Sequence, residues 1–126
     1  MTRSNSSDVS YLNMLQSSLT LSFDEFTPDV LYYNAGTDCM AGDPLGRMDL
    51  SPQGIITRDE IVFKECLNRN IPIVMVLSGG YQKTNGPCIA DSITNLNSKL
   101  NIFNLTLGKL KERIESKIVK IDHNQM

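Results

Sequence analysis

With 126 residues and 40% apolar content, the chain is one domain or a piece of one, long enough to bury a core but short for the sheet of a typical α/β enzyme. A formal net charge of −2 provides no overall field to recruit nucleic acid, and no apolar run approaches the length of a membrane span. Residues 1–10 are polar, without the apolar core of a secretory signal, and the three cysteines, Cys39, Cys66 and Cys88, form no C-x-x-C pair. That usage argues against a disulfide framework or a cysteine zinc knot and suits a reducing compartment.

Residues 1–7 are rich in Ser and Asn and are expected to fray. Asp8 is placed to cap a helix reaching to about residue 22, with Tyr11, Leu12, Leu15 and Leu19 at helical spacing. Pro28 stops any helix before it. A buried strand is expected over residues 29–34, where Val30-Leu31-Tyr32-Tyr33 forms an apolar run. The stretch from Asn34 to Gly46 then holds Gly36, Gly42, Gly46, Pro44, Asp38 and Asp43, which is loop composition with turn chemistry.

Ser51-Pro52 is expected to open one short helical turn. Thr57-Arg58-Asp59-Glu60 reads as a capping box starting a helix that ends near Asn70 and Pro72. Residues 71–77 form a continuous apolar run, expected to be a strand buried on both faces. Ser78-Gly79-Gly80-Tyr81 follows at once. A third helix is expected over residues 87–100, with Ile89, Ile93, Leu96 and Leu100 on one face. Residues 1–100 thus form one unit. Residues 101–126 read as an amphipathic helical tail, partly disordered, with Leu107, Leu110, Ile114, Ile118 and Ile121 on one side and a basic stripe of Lys109, Arg113 and Lys117. The stripe reads as a solvated helix face; contact with nucleic acid or a membrane is the alternative.

Strand, helix, strand is a βαβ unit whose strands run parallel. The loops after Asn34 and after Leu77 then open on the same edge of the sheet, the edge where such folds bind ligands. Asp38 and Tyr81 come to one side on topology alone. A carboxylate is a hard metal ligand or a base, and a phenol can donate to a developing oxyanion. Gly79 and Gly80 remove side chains beside Tyr81, so a ligand can approach the backbone. The plain alternatives are a turn in which Asp38 and Asp43 bond the backbone, and a tyrosine packed at a strand end. Cys39 reads as a small packed residue, His123 as a solvated tail residue, and Met14, Met40, Met48 and Met75 as core or loop filler.

These residues carry a resemblance. Pro28-Asp29, Leu31-Tyr32-Tyr33-Asn34-Ala35-Gly36-Thr37-Asp38, Gly42-Asp43-Pro44-Leu45-Gly46, Ser51-Pro52, Gly54-Ile55, Arg58-Asp59-Glu60, Val62-Phe63 and Ser78-Gly79-Gly80-Tyr81-Gln82-Lys83 occur in order over roughly residues 10–97. Together they resemble the C-terminal part of the catalytic domain of a class IV histone deacetylase. The resemblance implies an α/β fold of arginase-deacetylase type, a three-layer α/β/α parallel sheet that is incomplete here. It implies a Zn2+-dependent hydrolase that removes acyl groups from lysine side chains, with acyl-lysine proteins such as histone tails as substrates, no direct nucleic-acid or membrane partner, a role in chromatin regulation, and a place in nucleus and cytoplasm. Position by position, it makes Asp38 one of the zinc ligands and Tyr81 the residue that polarises the amide carbonyl and stabilises the tetrahedral intermediate. Leu45 matches a wall of the acyl-lysine channel, Gly79 and Gly80 flank the tyrosine, and Asp43 orders its own loop.

The family also uses an upstream Asp-x-His pair of ligands and a His-His pair, and this chain has one histidine, His123. The expectation is a fragment that is inactive by itself, through truncation, a split protein or a partial gene. The alternative is a catalytically inactive α/β interaction module derived from the family. Either form is expected to self-associate through exposed sheet edges.

Overall fold

The computed structural model of the protein describes residues 6–104 and residue 112. Five elements follow one another: α1 (Ser6–Glu25), β1 (Leu31–Asn34), α2 (Pro52–Asn68), β2 (Ile73–Val76) and α3 (Asn85–Leu100). β1 and β2 pair in parallel, in register from Leu31↔Ile73 to Asn34↔Val76, with α2 as the crossover. This is the expected βαβ unit. Residues 102–104 are helical. The tail helix and disordered end expected beyond them lie outside the described residues, except for Glu112, which is helical.

The start of α2 corrects the capping-box reading. Ser51, in extended conformation, is the N-cap, its hydroxyl accepting from the Gly54 N–H at 2.9 Å, and Pro52 is the first helical residue. Proline's fixed φ suits that position, and its missing N–H costs nothing there. Thr57 therefore lies inside the helix, where its hydroxyl donates to the Gln53 carbonyl at 2.9 Å. Glu60 turns to α3 instead, accepting from Asn95 and Lys99, each at 2.9 Å.

Asp8 does not cap α1 either. Its carboxylate accepts from both the N–H and the hydroxyl of Ser51 and so ties α1 to the start of α2. At its other end α2 stops at Asn68; Asn70 adopts a left-handed φ of 56° and the Ile71 N–H returns to the Cys66 carbonyl at 2.9 Å.

Neither strand is buried as expected: β1 starts at Leu31 and alternates half-buried with exposed residues, and β2 is not covered on both faces. One face carries Leu31 and Ile73 onto a cluster of Phe23, Cys66 and Ile71. On the other, Tyr32 stands opposite Val74, and they are 71% and 46% exposed. No described element covers that side. The buried face of α3 is also shifted: Asn85, Cys88, Ser92 and Leu96 point inward while Ile93 is exposed. The small side chains of Cys88 and Ser92 let α3 lie close on α2, and the Ser92 hydroxyl donates to Asp59 at 2.6 Å. A second apolar cluster, Met40, Leu50, Ile55 and Cys88, sits under the loop after β1, with Tyr11 and Cys39 against it.

Candidate active site

The pairing of β1 with β2 continues past the strands into the two loops. The Ala35 N–H donates to the Val76 carbonyl at 2.8 Å and the Thr37 N–H to the Gly79 carbonyl at 3.2 Å. The Ser78 hydroxyl donates to the side chain of Asn34. Further along, the first loop folds back onto Leu50, whose carbonyl accepts from the Ala41 N–H at 2.8 Å. Gly79 holds a φ of +69°, and a Cβ there would lie 2.7 Å from an Asp38 carboxylate oxygen. The second loop thus passes directly beneath the Asp38 carboxylate, and any other residue at 79 would be both strained and obstructed.

Between the loops lies an open cleft of about 470 Å³, lined by Tyr11, Asn34, Gly36, Asp38, Cys39, Arg58, Ser78, Gly79 and Tyr81. Asp38 and Tyr81 both reach it, and Tyr81 is 59% exposed. Leu45 is exposed and, with Gly80, stands outside the cleft lining.

Arg58 supports the floor from below. Its guanidinium donates to the Gly36 carbonyl at 2.7 Å, the Ala35 carbonyl at 3.0 Å and Asp59 Oδ1 at 2.9 Å, and it reaches Cys39 Sγ at 3.2 Å. Asp59 also accepts from Tyr33 Oη at 2.6 Å. Arg58 and Asp59 are both buried. Burial disfavours the Arg58 charge, but the facing Tyr33, Asp59 and Cys39 outweigh it and hold the guanidinium firmly protonated. Burial likewise pushes the Tyr33 phenol up, reinforced by Asp59. The Cys39 thiol is pushed up by burial against the pull of Arg58, which favours the packed, unreactive cysteine expected from the sequence.

Asp43 orders its own loop, as expected: Oδ1 accepts from the Leu45 and Gly46 N–H groups, both at 2.9 Å. It also does something the sequence reading missed. Oδ2 accepts from the backbone N–H of Tyr81 at 2.8 Å, across 38 residues of chain. Arg58 was missed as well. Its signal was its place in the buried stripe of α2, with Ile55, Val62 and Cys66 at helical spacing.

A zinc ion asks for about three protein donors in a catalytic site. Among the described residues no three His, Cys, Asp or Glu side chains converge to hold a metal. Asp38 offers one carboxylate to the cleft, while the sulfur of neighbouring Cys39 is engaged by Arg58. The residues present fit one corner of a metal site, not a whole one.

The sequence matches the histone deacetylase domain over residues 1–97. It is 50% identical over 86 residues to histone deacetylase 2 of Arabidopsis thaliana, covering 68% of this chain and 22% of that protein. It is 34% identical over 76 residues to an uncharacterized protein of Picosynechococcus sp., covering 60% of this chain and 25% of that protein. The chain therefore spans about a quarter of the length of these curated relatives. Its parallel βαβ unit is a partial α/β fold of arginase-deacetylase type, and the chain belongs to the histone deacetylase family, a family of hydrolases.

Proposed function

We propose that this chain carries one part of the active site of a zinc-dependent protein-lysine deacylase. The observation that supports the reading best is the meeting of Asp38 and Tyr81 in one cleft at the carboxyl edge of a parallel sheet. In this reading Asp38 is one metal ligand, and the remaining ligands come from outside the described residues. Tyr81 donates its phenolic proton toward the carbonyl oxygen of the acyl-lysine amide and holds the charge that develops there. Leu45 borders the acyl-lysine chain, and Gly79 and Gly80 let the backbone before the tyrosine pack closely against Asp38, Thr37 and Asn85. Substrates are acyl-lysine proteins such as histone tails, on the strength of the family.

The test is a chimera in which residues 1–97 replace the matching segment of the Arabidopsis relative, assayed on acyl-lysine peptides. Turnover is expected. Tyr81→Phe in that chimera is expected to lower it by roughly 100- to 1000-fold, the usual cost of one oxyanion donor, with zinc retained. Turnover within a factor of a few would remove Tyr81 from the reaction.

A second reading, an interaction module without catalysis, draws support from the bare sheet face of Tyr32 and Val74. A chimera that folds, binds zinc and does not turn over would favour it.

A further inference from the structure

The Asp43 carboxylate faces two ways. One oxygen gathers the N–H groups of Leu45 and Gly46, and the other receives the N–H of Tyr81. We propose that Asp43 is the positioning residue of the cleft: one carboxylate sets the Tyr81 backbone relative to Leu45, and so sets the carbonyl-polarising phenol against the wall of the acyl-lysine channel. This rests on the lysine-deacylase reading of Tyr81 and Leu45, and it goes beyond it by naming what holds the two in register.

Geometry explains why a carboxylate is needed. The N–H groups arrive at both oxygens, and acceptor capacity on both sides belongs to a carboxylate alone. The other links between the two loops involve neutral groups: Thr37 N–H to the Gly79 carbonyl, the Ser78 hydroxyl to Asn34, and the Gln82 amide to the Ala41 carbonyl at 3.2 Å. A hydrogen bond to an ionised acceptor is the stronger kind. The Asp43 contact is also the one that falls on the backbone of Tyr81 itself.

In Asp43→Asn the single oxygen stays with Leu45 and Gly46, which supply two donors, and the amide NH2 turns toward the Tyr81 N–H. The experiment is hydrogen exchange on the full 126-residue chain, with fragmentation that resolves single amides. In D43N the Tyr81 amide is expected to exchange roughly 10- to 100-fold faster, the loss typical of a bond to a charged acceptor. The α2 amides should be unchanged. A role confined to local loop order would speed Leu45 and Gly46 and leave Tyr81 as it was; that result overturns the proposal.

Should D43N lose α2 protection as well, the unsubstituted chain decides. There the Tyr81 amide must exchange at least about tenfold slower than in an unstructured peptide. Exchange at the unstructured rate overturns the proposal. Loss of the deacylase reading would register in the chimera assay and leave the Tyr81 exchange result standing, so the two failures are distinguishable.

Discussion

Arg58 is a full charge placed beneath a loop whose carbonyls point down at it. Its partners are the backbone of Ala35 and Gly36 and the buried carboxylate of Asp59. Arg58→Met keeps much of the volume but leaves Asp59 charged in the interior. Breaking a buried pair from one side typically costs about 3–5 kcal/mol, a large share of the roughly 5–15 kcal/mol that holds a domain together. Urea denaturation of the chain should show a loss of that size, and a change below about 1 kcal/mol would mean the pair is not structural.

Asp43 gives a pH prediction of opposite character. Desolvation nudges its carboxyl up, but the N–H groups of Tyr81, Gly46 and Leu45 outweigh this and hold it below the usual range. Its contribution is therefore complete above the ordinary aspartate value of about 3.9 and is lost as pH falls through the depressed folded value. The Tyr81 amide resonance should shift only in that acidic window. At this scale the sequence was half legible. That Asp38 and Tyr81 come to one edge follows from the parallel topology, whereas Arg58 and Asp59 read only as the middle of a capping box until their partners, Ala35, Gly36, Tyr33 and Ser92, are placed around them.

At the scale of elements, order and pairing could be read from local signals. Two apolar runs with a helix between them dictate a parallel pair, and the structure has it. Boundaries could not, because a distant residue decides them. Ser51-Pro52 looks like a single turn in isolation; Asp8, 43 positions away, grips Ser51 and makes that pair the start of a 17-residue helix. Ser51→Ala should cost about 1 kcal/mol or more by thermal or chemical denaturation, since it removes a cap and one donor to Asp8. Thr57→Ala should be neutral or slightly stabilising, because alanine is the better residue inside a helix. Equal losses at the two positions would restore the capping box at Thr57. The face of α3 is turned from the expected one for a similar reason: Leu96 is buried as expected, but close contact with α2 selects Cys88 and Ser92 over the larger Ile93.

For the whole molecule, what matters is how much of the sheet is covered. The described sheet has two strands, with a helical layer on one face and Tyr32 and Val74 open on the other. Such a surface favours association. Sedimentation of the chain should show concentration-dependent self-association that Tyr32→Lys with Val74→Lys reduces, and a clean monomer throughout would count against it.

The same incompleteness bears on the metal. On the proposed reading Asp38 supplies one donor of the about three that a catalytic zinc needs, so the 126-residue chain is expected to retain no zinc after dialysis and to show no acyl-lysine hydrolysis. The chimera is expected to hold about one equivalent, lost together with turnover on Asp38→Ala. The most direct measurement is metal content and acyl-lysine turnover, side by side, for chain, chimera and chimera carrying D38A. Zinc in the chimera that depends on Asp38, with none in the chain alone, is the predicted result. Zinc and turnover in the chimera that persist without Asp38, or one equivalent held by the chain alone, would contradict the account.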